Sequence, residues 1–217
     1  FFFKQKTAYE IPKRDWSSDV CSSDLPEETP PLKERHKSIA IPVTTIDNKQ
    51  YMLIVHDRRY QEWTFVTGGC RRREVINPLR CAVRELEEET RGTINIKRGT
   101  YSYFRFATKY KGPGDSEADI ENDVTSIYHV YIIDLPMTAR EHKYIIRRFN
   151  EEKTKMETRQ TYFRKNYDEN DKVEFDTLEG ITARENLWDM IRTHVITNPD
   201  FHEALARPQR TNFYFKT

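Results

Sequence analysis

The chain has 217 residues, 33% of them charged, and a formal net charge of +1. This length suits one domain with an elaboration, or two small domains at most. The near-neutral charge gives no global reason to expect nucleic-acid binding, so only local basic patches can argue for it. No run approaches the roughly 20 apolar residues that cross a bilayer, and we expect no membrane contact.

The first 25 residues resemble translated sequencing-library adaptors. Lys4–Ile11 and Asp15–Leu25 are the peptides that two common adaptor sequences encode, and they occur in the right order. We therefore exclude residues 1–25 from fold reasoning as an artefact. We expect the native protein to begin at or before Pro26.

The cysteine count favours a reducing compartment. Without Cys21, which lies in the adaptor-like segment, only Cys70 and Cys81 remain. Two cysteines are too few for a disulfide framework, and their spacing is not that of a metal site. We interpret both as reduced thiols of an intracellular, cytoplasmic protein.

Strand and helix patterns alternate along the rest of the chain. Residues 26–37 are rich in proline and charge and predict a flexible lead-in, residues 38–205 predict one domain, and residues 206–217 predict a C-terminal tail. Asp47–Gln50 supplies the turn of a hairpin. Strands are predicted at residues 38–46, 51–56, 63–66, 100–108, 124–135 and 172–175.

Three helices are predicted between and after these strands. The first begins at Pro78, is capped by Asn77 and stops at Gly92. Its buried face consists of Leu79, Ala82, Val83 and Leu86. The second covers residues 184–196, and a short third follows at 201–205. The inward residues of the second are Leu187, Met190, Ile191 and Val195. This alternation predicts α/β layers around a mixed sheet.

Two segments interrupt the alternation. Residues 111–123 are rich in glycine, proline and acidic residues and predict a mobile loop. Residues 137–171 are polar and basic, and we interpret them as a partly helical insert.

The first helix carries the sharpest chemical pattern. At about 100° per residue, Glu85, Glu88 and Glu89 share one face, away from the apolar stripe. Like charges at this spacing repel, and a divalent cation such as Mg²⁺ would offset the repulsion because it prefers carboxylate oxygens. The alternative interpretation is an ordinary solvated face.

The order of these features resembles the Nudix hydrolase family, whose signature is G-x5-E-x7-R-E-U-x-E-E-x-G-U, with U a bulky apolar residue. Residues 84–89, Arg-Glu-Leu-Glu-Glu-Glu, match its centre, and Gly68-Gly69 follows a tryptophan-containing strand as in the family. The resemblance covers residues 38–135, with the helix at 184–196 in the place of the family's second helix. It implies an α/β/α sandwich and a hydrolase that cleaves a diphosphate linkage.

Three residues depart from the family pattern. Nine residues separate Glu74 from Arg84 instead of seven, so the loop is two residues longer. Arg91 occupies the position of the final glycine, and Gly92 comes one residue late. Thr67 replaces the proline that commonly precedes the glycine pair. These departures concern the role of Glu74 and the path of the loop, and they leave the acidic helix intact.

The resemblance implies a role for each matching residue. Glu85, Glu88 and Glu89, with the carbonyl of Gly69, would hold Mg²⁺ or Mn²⁺, and Arg84 would orient the carboxylates. One of these glutamates, or a glutamate from a later loop, would activate water. Glu117, Glu121 and Asp123 are the candidates for a later acidic ligand or base, and Glu121 is also a candidate for substrate binding, although ordinary loop polarity explains them as well.

Two local features bear on the substrate, which the family resemblance implies to be a nucleoside diphosphate linked to another group. Arg71, Arg72 and Arg73 follow the glycine turn, where they can reach an anion or simply keep the loop solvated. Residues 140–165 contain nine basic and four acidic residues, with Tyr144, Phe149, Tyr162 and Phe163 interleaved. Such an arm suits an RNA backbone, which makes decapping of capped RNA one hypothesis, and an amphipathic helix packed on the domain the alternative.

A catalytically weak Nudix-like module that only binds nucleotide or RNA is a further hypothesis. The complete set of three facing glutamates favours the enzyme, because a binding module does not need them.

Overall fold

An eight-stranded mixed sheet forms the centre of the protein. The computed structural model describes residues 34–109, 124–158, 165–207 and 210–215. The strands are β1 (Glu34–Ile46), β2 (Lys49–Asp57), β3 (Trp63–Thr64), β4 (Val66–Gly69), β5 (Arg98–Thr108), β6 (Thr125–Asp134), β7 (Asn170–Asp176) and β8 (Thr211–Tyr214). Their order is β3-β2-β1-β6-β5-β8, with β4 paired to β1 and β7 to β2. β1 and β6 are parallel, and the other pairs among the described residues are antiparallel.

Helices cover both faces of this sheet. They are α1 (Pro78–Glu89), α2 (Ala139–Glu157), α3 (Leu178–Thr182), a π-helix (Ile191–Ile196) and α4 (Pro199–Ala206). One apolar core joins the sheet to α1 and α2, and the other joins it to α3, the π-helix and α4. Alternate residues of β1 enter the two cores, as the period of two in a strand requires. The predicted α/β/α sandwich with a mixed sheet is confirmed.

The predicted hairpin between the first two strands is present. β1 and β2 pair up to Ile46 and Lys49, and only Asp47 and Asn48 lie between them. Both have left-handed backbone conformations, with φ of 49° and 61°. Aspartate and asparagine tolerate this region better than other side chains, and two such residues fit the twist of a hairpin.

The first predicted helix forms, but its two ends differ from the prediction. Asn77 occupies the cap position without making a side-chain capping bond. α1 ends at Glu89, and the chain then turns through Arg91 and Gly92, which have φ of 55° and 71°. The amide of Gly92 donates to the carbonyl of Glu87, and that of Arg91 donates to Glu88. These two bonds form a Schellman-type helix end, in which the left-handed position is usually glycine.

The prediction of one helix over residues 184–196 is wrong in its first half. Leu187 instead forms a parallel β-bridge with Trp63. The amide of Trp63 donates to Asn186, and the amide of Trp188 donates to Trp63. These pairings with the sheet edge satisfy backbone groups that a helix would otherwise bond internally. Leu187, Met190, Ile191 and Val195 are buried, as predicted.

Both ends of the described chain add strand structure outside the predicted strands. β1 begins at Glu34, inside the predicted lead-in, and pairs with β6 from that residue onward. β8 lies inside the predicted tail and pairs with β5 through Thr211 to Tyr214. Of the predicted insert, residues Ala139–Glu157 form α2.

Several predictions concern residues outside the described ranges. These are the adaptor-like residues 1–25, the loop at 111–123 with Glu117, Glu121 and Asp123, and the part of the basic arm at 159–164. No helix among the described residues combines the length and apolar character needed to cross a membrane.

Candidate active site

α1 places its acidic face beside the end of β4. The stripe of Leu79, Ala82, Val83 and Leu86 is buried in the core, as predicted, and fixes the rotation of the helix. Glu88 and Glu89 are 6% and 5% exposed, so these carboxylates lie in the protein and not on a solvated surface. An ordinary solvated face would leave them open to water, and this alternative therefore does not describe the helix.

Gly68 makes room for Glu85. A Cβ atom added to Gly68 would lie 2.0 Å from Cδ of Glu85 and 2.2 Å from its Oε1. The carboxyl group therefore rests directly against the backbone of β4. At Gly69 an added Cβ would meet nothing within 4 Å. The two glycines of the turn thus differ: the first is required by a neighbouring side chain, and the second is not.

Arg84 is the cationic centre of the glutamate cluster. Its guanidinium binds Glu74 through two bonds of 2.8 and 2.9 Å. It also lies 2.7 Å from Oε1 of Glu85 and 2.9 Å from Oε2 of Glu88, and it donates to the carbonyl of Gly69 at 3.1 Å. One planar guanidinium with five donors can hold several acceptors in a fixed arrangement. Arg84 therefore links the loop, the glycine turn and two glutamates of α1.

Glu74 reaches this centre despite its displacement along the sequence. Its Oε2 accepts the amide of Arg71 at 2.9 Å, which folds the longer loop back onto α1. Burial opposes its charge, but the bonds from Arg84 and Arg71 prevail and lower the pKa of Glu74. Arg71 also donates to Oε1 of Glu88 at 3.2 Å. Among the three loop arginines, Arg71 thus joins the site, whereas Arg72 and Arg73 point to solvent.

Glu89 is the most enclosed of the three helix carboxylates. Asn170 donates its side-chain amide to Oε2 of Glu89 at 3.0 Å, and the backbone amide of Thr67 donates to the same carboxylate. A proline at position 67 has no N–H and would remove the second bond. Burial, and then the charge of Glu85, raise the pKa of Glu89 well above its ordinary value despite these donors.

Glu85 shares this excess of negative charge. Its pKa is raised to about 7, chiefly by burial and in addition by the charges of Glu88 and Glu169, against the opposing effect of the Arg84 ion pair. Each shift means that the ionised form is short of compensating positive charge. A bound cation would supply that charge. Carboxylate oxygens and one backbone carbonyl are the donors that Mg²⁺ and Mn²⁺ prefer, so the residues present fit such an ion.

The glutamates are not in a ligating arrangement in this structure. Among the described residues no three histidine, cysteine, aspartate or glutamate side chains are placed as ligands of one ion. In this structure the Arg84 guanidinium pairs with Oε1 of Glu85 and Oε2 of Glu88.

Glu169 is a site residue that the sequence analysis missed. It is an exposed residue between the 3-10 turn Lys165–Asp168 and β7, and its charge acts on both Glu85 and Glu89. The pairing of β7 with β2, through Asp57 and Asn170, brings it to the acidic helix. The signal in the sequence was the acidic run of residues 168–171 directly before a predicted strand.

A cavity of about 210 Å³ opens beside these carboxylates. Glu89, Glu169 and the Gly68-Gly69 turn line it. Tyr60, Trp188 and Lys37 line other parts of it, together with the acids Asp57 and Glu62. The cavity therefore combines aromatic surfaces and one lysine with the glutamate cluster.

α2 carries the described part of the basic arm. Four ion pairs join Arg147, Arg148 and Lys155 to Glu151 and Glu152 within the helix. Phe149 is buried, whereas Tyr144 is 51% exposed with the guanidinium of Arg147 5.4 Å from its ring centre. Much of the basic surplus is therefore neutralised on the helix itself.

Comparison with known proteins agrees with the fold and the acidic helix. The profile described as NUDIX domain matches residues 34–155, more than half of the chain. The chain belongs to the Nudix hydrolase family, and its enzyme class is that of a Nudix-type pyrophosphohydrolase. The match runs through most of α2, so this helix lies within the family domain.

Several solved structures are similar to this chain at low sequence identity. An Ap4A hydrolase from C. elegans, in a binary complex, is 12% identical with a TM-score of 0.45, over 72% of this chain and 89% of that one. A NUDIX hydrolase described as putative, from Listeria monocytogenes, is 16% identical with a TM-score of 0.42, over 73% and 87%. The NUDIX domain of Shewanella oneidensis NrtR, complexed with ADP ribose, is 11% identical with a TM-score of 0.42, over 79% and 88%. No curated protein matches the chain.

Proposed function

We propose that this protein hydrolyses the diphosphate linkage of a nucleoside diphosphate-linked small molecule and that the carboxylates of α1 bind the required metal. The observation that carries the proposal is the cluster of the half-buried Glu85 with the buried Glu88 and Glu89, in which the pKa values of Glu85 and Glu89 are raised and Glu89 lines the cavity. Burying several carboxylates is costly unless a cation compensates them. A protein with this fold that bound no cation would be more stable with uncharged side chains in their place.

Mg²⁺ or Mn²⁺ would be held by these three glutamates and the carbonyl of Gly69. When bound, such an ion neutralises diphosphate oxygens and lowers the pKa of coordinated water. Arg84 holds Glu74 and the carbonyl of Gly69 through its other donors, and these bonds keep the loop and the glycine turn beside the glutamates that would hold the ion. Arg84 is therefore a residue that orients the carboxylates.

Glu169 is placed to accept the proton of the attacking water. It lines the cavity together with Glu89 and is exposed to solvent, so it can pass the proton on. A positioned carboxylate acting as a general base contributes about 10² to 10⁴ in rate. We assign this role to Glu169 because, among the described residues, its charge acts on both Glu85 and Glu89. The loop residues Glu117, Glu121 and Asp123 lie outside the described ranges.

The rest of the cavity suits the nucleoside part of the substrate. Lys37, whose Nζ lies 3.4 Å from the hydroxyl of Tyr128, can pair with a phosphate oxygen. Tyr60 and Trp188 can stack a base, and every base offers a π-face. The free thiols of Cys70 and Cys81 support an intracellular location, since oxidising compartments favour disulfides.

The test is product release from ADP-ribose, NADH, a dinucleoside polyphosphate and a diphosphoinositol phosphate with Mg²⁺ or Mn²⁺. Glu88→Gln is expected to abolish turnover because it removes a buried carboxylate of the metal site. Glu87→Gln is the matched control, because Glu87 bonds Asn95 at 2.8 Å on another side of the same helix. Equal activity of both variants and wild type would reject the site. If the wild type and both variants bind nucleotide and none of the three hydrolyses it, the result would instead support a Nudix-like module that only binds nucleotide.

Capped RNA is the second candidate substrate. The observation in its favour is the exposed Tyr144 with Arg147 beside its ring on α2, a pairing that can stack a base and bind phosphate. The ion pairs within α2 reduce the charge available for RNA. Release of a methylated guanosine diphosphate from long capped RNA, lost in Tyr144→Ala, would support decapping. Turnover of a small nucleotide unaffected by added RNA would reject it.

A further inference from the structure

Arg91 adopts a backbone conformation that is unfavourable for an arginine. Its φ of 55° lies in the left-handed region, at the helix-end position where the Nudix signature has glycine. A residue with a Cβ pays roughly 1–2 kcal/mol in this region, and glycine does not. A glycine, Gly92, stands at the very next position of the chain. The contacts of the Arg91 side chain must therefore offset the energy of this backbone conformation.

That side chain is completely buried and makes several polar contacts. Its exposed fraction is 0%, and its guanidinium packs 4.1 Å from the ring centre of Phe149 on α2. Nε donates to the carbonyl of Tyr167 at 3.2 Å, and Nη2 donates to the carbonyl of Asn170 at 2.5 Å. Nη2 also lies 3.3 Å from Oδ1 of Asp168.

These contacts bracket Glu169 on both sides. Arg91 contacts the residues at 167, 168 and 170, and Glu169, which lies between them, lines the cavity together with Asn170. Arg58 also anchors this segment, because its backbone amide donates to the carbonyl of Glu169 and its guanidinium binds Asp168 at 2.8 Å. The same segment presents Asn170 to Glu89.

We propose that Arg91 is a positioning residue that fixes Glu169, and with it Asn170, against the glutamates of α1. The inference rests on the proposed function, because it assumes that Glu169 acts on the attacking water. It also explains the departure from the signature. The helix end of this protein serves as an anchor for the segment before β7, and a glycine there would leave that segment without its buried guanidinium.

The test is a double-mutant cycle between Arg91→Lys and Glu169→Gln. Lysine keeps the charge but cannot make the forked contacts. We expect Arg91→Lys to lower kcat by about 10- to 100-fold with little change in KM, because misplacement of a catalytic group by about 1 Å costs a factor of that order. In the Glu169→Gln background, the same change should leave kcat almost unaltered.

Arg210→Lys is the matched control. Arg210 also donates to two backbone carbonyls, of Ala204 and Leu205, and lies 3.5 Å from Asp134, but it precedes β8 at the other edge of the sheet. It should lower the melting temperature without changing kcat. If Arg91→Lys does not fold, Asp168→Asn, which removes one contact of the guanidinium, takes its place in the cycle with a smaller expected loss.

Equal losses of kcat from Arg91→Lys in both backgrounds would reduce Arg91 to a purely structural residue and overturn the proposal. Wild-type activity of Glu169→Gln would overturn it too, while loss of turnover in Glu88→Gln would leave the proposed function standing. If the wild type turns over no substrate, the proposed function fails by itself. Deuterium uptake at residues 165–170 then decides about the anchor: faster exchange in Arg91→Lys supports it, and unchanged exchange rejects it.

Discussion

Replacing Gly68 by alanine should disable the site while leaving the fold intact. The new Cβ would lie 2.0 Å from Cδ of Glu85. Non-bonded carbon atoms settle at about 3.5–4.0 Å, so the carboxyl group must move by at least ~1.5 Å. The obstructed atoms are the end of a flexible side chain, and backbone is not involved. Glu85 will therefore give way, and the metal site will lose one of its oxygen donors.

The free energy of unfolding should change little. Moving Glu85 off its preferred rotamer costs about 0.5–1.5 kcal/mol, and replacing glycine by alanine restores about 0.4–1 kcal/mol by restricting the unfolded chain. The net change is ~1 kcal/mol or less, which is about 2–4 °C in melting temperature for a chain of this size. The catalytic effect is larger, since a displacement of about 1 Å costs 10²-fold. We expect kcat/KM to fall by about 10²-fold or more.

Gly69→Ala is the matched control for this experiment. Its Cβ meets nothing within 4 Å, and the carbonyl that we assign to the metal is kept. Its loss of kcat/KM should be much smaller than that of Gly68→Ala. The assays are steady-state turnover, Mn²⁺ binding by electron paramagnetic resonance and thermal unfolding. A folded Gly68→Ala protein with wild-type turnover would refute the reasoning, because Glu85 would then have no part in catalysis.

Three other predictions follow from single side chains. The pKa of Glu85 is raised from 4.5 to about 7. Between these two pH values the folded state therefore binds more protons than the unfolded state. The metal-free protein should lose up to ~3 kcal/mol of stability as the pH rises through that window. Thermal unfolding checks this: Glu85→Gln should flatten the slope, and an unchanged slope would contradict the assignment. Trp188→Ala should raise KM by about 10-fold, because stacking is worth about 1–3 kcal/mol per base, and an unchanged KM would remove Trp188 from the substrate site. Nε2 of His142 is buried with no hydrogen-bond partner among the described residues, and the ring stacks 3.8 Å from that of Phe175. His142→Phe should therefore stabilise the protein by ~1 kcal/mol and leave kcat unchanged. Lower stability of this variant in a denaturant titration would show that the nitrogen has a partner.

The sequence predicted the parts of the site that depend on local geometry. The spacing of Glu85, Glu88 and Glu89 is a property of one helix, and the apolar stripe behind them sets which way they face. Their shared face followed from periodicity alone. The assignment of each to a metal stays a prediction that the experiments above test.

Residues joined by long-range pairing could not be predicted in the same way. Glu169 reaches α1 because β7 pairs with β2, and no local pattern specifies that pairing. The strand β8 pairs with β5 near the end of the chain and has little periodicity of its own. The segment at 184–188 has a helical pattern, but its backbone bonds to Trp63 at the sheet edge prevail.

The departures from the family signature have physical explanations. The longer loop folds back through the bond between Glu74 and the amide of Arg71, so Glu74 still meets Arg84. Thr67 supplies an amide to Glu89 that proline lacks. Arg91 adopts a left-handed backbone conformation that glycine would adopt more easily, but its buried guanidinium anchors the segment before β7. Each change is compensated within a short distance of the acidic helix.

The most direct test of the central claim is hydrolysis in water enriched in oxygen-18, with a nucleoside diphosphate-linked substrate and Mg²⁺ or Mn²⁺. Water attack on phosphorus predicts one heavy oxygen in a phosphate of one product, seen by mass spectrometry. It also predicts that chelation of the metal and Glu88→Gln each abolish the label, whereas Glu87→Gln does not. Label elsewhere than on phosphorus, or incorporation that persists in Glu88→Gln, would contradict the account.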